Sequence, residues 1–89
     1  MSSPYLEVTY RHGRTLAAYL HLERRPGDGA ASTRAAGNGI VVDFASDGRP
    51  IGVEITSPRS FDARDLNRIL AELHIAPVPL EDLAPLGTP

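Results

Sequence analysis

Apolar and polar residues alternate in four stretches of the first sixty positions, and the pattern then changes to a helical period. From Tyr5 to Tyr10, Leu6, Val8 and Tyr10 fall on one side and Tyr5, Glu7 and Thr9 on the other, the period of two expected of a half-buried strand. Thr15 to Leu22 repeats it, with Leu16, Ala18, Leu20 and Leu22 together. Matching these two faces across a two-residue His12-Gly13 turn pairs Val8 with Ala17, which puts the second strand's leucines on the wrong side. A three-residue loop, Arg11 to Gly13, with the glycine left-handed, sets Val8 opposite Leu16 and Leu6 opposite Ala18.

The stretch Arg24 to Asn38 is rich in Gly, Ala and Ser and predicts a long connection, with a short edge strand near Ser32 to Ala36. Gly39 to Ala45 predicts a central strand, with Ile40, Val42 and Phe44 on one face and Val41 and Asp43 on the other. Asp47-Gly48 reads as a two-residue hairpin turn into a further alternating run, Ile51, Val53 and Ile55.

Beyond Phe61 the period becomes helical. Asp62 is placed to cap, Phe61 to staple onto Leu66, and Leu66, Ile69, Leu70 and Leu73 form one stripe at i, i+3, i+4 and i+7. Pro77 and Pro79 end the helical region, and the residues to Pro89 read as an extended arm. The expected architecture is α+β: an antiparallel meander of four to five strands with one C-terminal amphipathic helix on one face. Residues 1–76 form the domain and 77–89 a Pro-rich C-terminal arm.

Composition narrows the function classes. The chain has 89 residues, no cysteine and a formal charge of −2 with a pI near 5.8. A disulfide framework and thiolate metal ligands are excluded, and a cytoplasmic location is expected. Met1-Ser2-Ser3-Pro4 carries no export signal, and no apolar run reaches the ~18 to 20 residues of a membrane span, so no membrane association is expected. Net acidity argues against nucleic acid as a partner. All nine basic residues are arginine, read as codon bias rather than selection for phosphate contacts; Arg11, Arg14, Arg24, Arg25 and Arg34 could gather at one end of the sheet, but solvated hairpin ends are the expected role.

Three features together, Tyr10 and Tyr19 flanking the first hairpin, Gly39-Ile40-Val41-Val42-Asp43-Phe44 with its Asp47-Gly48 turn, and Gly52-Val53-Glu54-Ile55, resemble domain-of-unknown-function family 2283 over about residues 5 to 60. The chain departs from that pattern in its basic first loop, Arg11 to Arg14, and in its longer Gly-Ala connection. The resemblance implies a small cytoplasmic bacterial protein without an assigned activity, and an antitoxin-like or accessory role beside a small toxin. It carries over no catalytic residues.

Asp43 and Glu54 are weak candidates for a metal or small ligand, since a two-residue turn leaves them diagonal on one face at roughly 7 to 8 Å; solvated face positions are the favoured reading. His12, His21 and His74 lack the spacing of a zinc site, and the glycines from 27 to 39 precede a strand rather than a helix, unlike a phosphate loop. No nucleophile elbow is present, so no enzyme and no cofactor are expected. The helix covers one face of the sheet. The other carries Tyr5, Ala17, Tyr19 and Val41, more apolar than a wet face requires, and predicts a non-enzymatic interaction module contacting a second copy or a small protein partner.

Overall fold

A computed structural model of the chain describes residues 4–86. The expected class is observed: a five-stranded antiparallel sheet carries one α-helix. The strands are β1 (Tyr5–Arg11), β2 (Arg14–His21), β3 (Ser32–Gly37), β4 (Ile40–Phe44) and β5 (Pro50–Ile55), followed by the helix α1 (Ala63–Glu72). Their spatial order is β1-β2-β5-β4-β3, so the connection after β2 crosses to the far edge instead of continuing a simple meander. β4 is an interior strand, as expected, and β5 occupies the middle of the sheet. The reason is visible in the side chains: Ile51, Val53 and Ile55 are all but inaccessible, whereas β3 has only small or polar residues and tolerates an edge.

The first hairpin reaches the anticipated pleat by another route. His12 and Gly13 form a two-residue turn, both at positive φ (54° and 77°), and the extra residue is Leu16, bulged between the Tyr10–Thr15 and Thr9–Ala17 pairs. Val8 therefore faces Ala18 and Leu6 faces Leu20, not the pairs expected from a three-residue loop. The bulge puts Leu16 in solvent, 54% exposed, while Ala18, Leu20 and Leu22 keep the core side. Asn38-Gly39 makes a second turn of this kind, with φ of 54° and 76°. At the β4–β5 turn only Gly48 takes positive φ, and the loop closes through Ala45, whose amide donates to the Arg49 carbonyl at 2.8 Å. A bulge at Ile51 restores the expected register, with Asp43 opposite Gly52 and Val41 opposite Glu54.

The helix is capped at both ends. Asp62 accepts the Arg64 amide at 2.8 Å. At the other end His74 adopts φ 62°, and the His74 and Ile75 amides donate to Ala71 and Leu70, a glycine-type C-terminal cap built on histidine. Leu66, Ile69 and Leu70 press the helix onto Ala18, Leu20, Ile40, Val42, Val53 and Ile55.

The segment after the helix is not an extended arm. Its backbone forms a 3-10 helix over Leu80–Leu86, and Val78, Leu83 and Leu86 join the same core. Asn67 on α1 fastens it: its carboxamide oxygen accepts the Val78 amide at 2.9 Å and its nitrogen donates to the Val78 carbonyl at 3.4 Å. Met1 to Ser3, the last three residues and the side chains of Leu80 and Pro85 lie outside the described residues, and with them most of the segment read for an export signal.

The long β2–β3 connection is tied to the β4–β5 turn through Arg49, whose guanidinium donates to both Asp28 oxygens (3.0 and 3.1 Å) and to Asp47 at 2.7 Å. The Arg25 amide also donates to Asp28, and these bonds hold the Asp28 carboxyl below the ordinary carboxylate range; bonds from Arg49 do the same for Asp47. A carboxyl depressed in the folded state stabilises the fold above its unfolded pKa, ~3.9, and that contribution is lost as pH falls through the lower folded value. Thermal melts from pH 5 to pH 2.5 are therefore expected to fall less steeply for Arg49→Gln than for the native chain. Parallel pH profiles would discount the clamp.

Candidate functional site

The alternation that builds the core delivers the opposite side chains to the uncovered face of the sheet. Strand registers set two rows across it. Glu7, Tyr19, Glu54, Val41 and Ala35 form one row, and Tyr5, His21, Gly52, Asp43 and Thr33 the next. Tyr5 stacks on His21 with ring centroids 4.4 Å apart, and Tyr19 meets His21 edge-on at 4.7 Å. His21 Nε2 donates to Glu7 at 2.7 Å.

Tyr19 then bends across the central strand. Position 52 is glycine, and a Cβ there would coincide with the Tyr19 hydroxyl and the adjoining ring carbons. Through this notch the hydroxyl crosses β5 and donates to Asp43 Oδ2 at 2.8 Å, while Arg24 Nη2 donates to it at 3.1 Å. Thr33 on the edge strand donates to the other Asp43 oxygen at 2.9 Å. Arg24 is itself anchored by a 3.3 Å bond from Nε to the Ile51 carbonyl. Side chains from β1 to β3 thus touch in one continuous band. Burial, the bond to Asp43 and that residue's negative charge push the Tyr19 phenol up to about 12, against a smaller opposing pull from Arg24. At neutral pH it is a proton donor in a hydrogen bond and not a base.

The four residues singled out from the sequence share this face but are not one patch. Tyr5 and Tyr19 are joined through His21; Ala17 lies two residues from Tyr19 on β2; Val41 lies beyond Glu54 in the Tyr19 row, two strand spacings or roughly 10 Å away. Asp43 and Glu54 occupy the expected diagonal, but both Asp43 oxygens are engaged, and only Glu54 remains exposed. Among the described residues no group of three or more His, Cys, Asp or Glu side chains is arranged to hold a metal. His12, His21 and His74 sit on a turn, a strand and a helix end, and the five arginines do not gather. Arg11 and Arg14 flank the first turn, Arg24 and Arg25 follow the opposite end of β2, and Arg34 lies on the edge strand, over Phe44 at 4.9 Å.

The roles of Gly52, Thr33 and Arg24 were missing from the sequence reading. One signal was available for the first: a glycine inside a strongly apolar strand marks the close approach of another group. Nothing in the local pattern pointed to Thr33 or Arg24.

Fold and site together define a small α+β protein whose antiparallel sheet is roofed on one side and presents an aromatic, hydrogen-bonded band on the other. Residues 17–57, from β2 through β5, match a family described as "Protein of unknown function (DUF2283)". The matched segment is just under half of the chain and omits β1, α1 and the C-terminal 3-10 helix. No curated protein and no solved structure matches the chain. No helix among the described residues is long and apolar enough to cross a membrane.

Proposed function

We propose that the protein is a non-enzymatic interaction module whose uncovered sheet face, around Tyr5, Ala17, Tyr19 and Val41, packs against a second copy of the chain. The closed state of the band carries this reading. Tyr19, both oxygens of Asp43, Thr33 and the His21–Glu7 pair already have partners, so a second surface can cover them without stranding a polar group. Such a surface meets the exposed Tyr5 ring and the small Ala17 and Ala35 side chains alongside the exposed Glu7 and Glu54 carboxylates. A phenol held protonated and a carboxylate with both oxygens bonded also favour recognition over proton transfer.

Burying ~600 Å² of apolar surface would contribute on the order of 15 kcal/mol before the losses of association, ample for a dimer of small subunits. Two-fold packing of one patch on itself is the commonest way for identical chains to assemble. Glu54 is exposed and, among the described residues, accepts no side-chain hydrogen bond, so its carboxylate is available to a cation of the opposing molecule. Sedimentation equilibrium from 1 to 100 µM is expected to show concentration-dependent dimers for the native chain and monomers for Val41→Arg and Ala17→Arg. A native chain that stays monomeric throughout, or a Val41→Arg dimer of unchanged strength, would refute the proposal.

A further inference from the structure

A second feature stands at the end of the sheet where the β1–β2 turn lies. Arg11 closes β1, Arg14 opens β2, and Arg59 sits on a short 3-10 helix, Pro58–Ser60, that follows β5 and is held in place by buried Pro58. With His12, Thr15 and Leu16 these three arginines line an open cleft of about 560 Å³. A smaller one of about 170 Å³ adjoins it, bounded by Arg14, Thr15, Pro58, Arg59 and Leu86. The chain has eleven acidic residues against nine arginines, yet no carboxylate lines either space among the described residues. Arg49, Arg64 and Arg68 each have an acidic partner; Arg11, Arg14 and Arg59 have none within the described residues.

The strand register adds an independent observation. Arg11 and Arg14 are directly opposed across the antiparallel pair, an arrangement in which like charges repel. We propose that this cleft binds a small organic phosphate carrying at least two negative charges, whose oxygens neutralise the opposed guanidiniums and engage Arg59 from the far side.

Guanidinium forks match phosphate oxygens in shape as well as charge. The cleft is far larger than a single inorganic ion requires, and Leu16, more than half exposed on its bulge, supplies an apolar wall for the organic part. A nucleic acid strand would need a continuous basic track. Here Arg24 and Arg25 lie beyond the opposite end of β2, Arg34 lies on the far edge strand, and the formal charge is −2. A short open cleft with three arginines at one end of the sheet of an acidic protein fits a compact ligand.

The probes are ADP, inorganic pyrophosphate, adenosine and a twelve-residue oligothymidylate, titrated calorimetrically into the full chain at low salt. ADP is expected to bind, pyrophosphate to compete with it, adenosine to give no heat, and added salt to weaken the complex. Arg14→Ala and Arg59→Ala should each weaken ADP at least tenfold, whereas Arg34→Ala should not. Because removing Arg14 relieves its repulsion with Arg11, that variant is also expected to melt no lower than the native chain without ligand, which separates loss of binding from loss of fold. Absence of ADP binding at millimolar concentration, binding unaffected by Arg59→Ala, or an oligothymidylate bound more tightly than ADP would each overturn the assignment.

Discussion

A chain ending at Ala76 is expected to lose its cooperative thermal transition or to melt tens of degrees below the native protein. The deletion strips Val78, Leu83 and Leu86 from the core, where they are 8%, 5% and 8% exposed. Fully burying such a side chain contributes about 1.5–3 kcal/mol, so the three together supply on the order of 5–9 kcal/mol. A domain of this length has only about 4–13 kcal/mol of net stability. The deletion also uncovers β1, against which the 3-10 helix lies, and leaves Asn67 without the Val78 backbone. A milder variant keeps the idea testable if the truncated chain cannot be purified. Leu83→Ala should cost about 2–5 kcal/mol, read as a lower melting temperature by circular dichroism. A truncated chain melting within a few degrees of the native one would show that the segment merely rests on the surface.

The second large effect is expected at Gly52. Gly52→Ala places a methyl group where the Tyr19 hydroxyl passes, so the ring must leave the notch and abandon both Asp43 and Arg24. Overpacking of this kind costs roughly 1–3 kcal/mol. In a domain of this size each kcal/mol lowers the melting temperature by about 4–8 °C. The cost should shrink markedly in a Tyr19→Ala background, since the obstructing ring is then gone. A phenol raised to about 12 stabilises the folded state below its ordinary value near 10 and ceases to do so as pH rises toward 12. The phenolate absorbance of the native protein should therefore include a late step near 12 that is missing in Tyr19→Phe and displaced toward 10 in Gly52→Ala. Equal costs of Gly52→Ala in the two backgrounds would mean that the notch and the ring are uncoupled.

These two predictions fall on parts of the protein that were unequally legible. Gly52 and Tyr19 were each visible as strand residues, and the pairing of Asp43 with Gly52 followed from the expected hairpin register. That Tyr19 would be the group filling the gap depended on β2 lying beside β5, a pairing of segments more than thirty residues apart. Local alternation says which face a residue takes but not which strand becomes its neighbour. The Asn38-Gly39 turn was legible in principle, since the dipeptide readily takes positive φ at both positions. It was obscured by the small side chains before it. The C-terminal segment differs from the expected arm for a related reason: prolines forbid a regular α-helix, but they do not prevent Val78 and a short 3-10 helix carrying Leu83 and Leu86 from packing into a core.

The amino-acid order alone determined the five strands, the side of the sheet that becomes core, and the α-helix with its acidic cap, because these rest on contacts between near neighbours and on a repeat of two or of 3.6. Tertiary structure decided the strand order, the passage of Tyr19 over Gly52, the convergence of Arg59 on Arg11 and Arg14, and the docking of the final turn. Each joins residues distant in the chain, and which distant segments meet is chosen by the packing of the whole core, a property that no local stretch encodes.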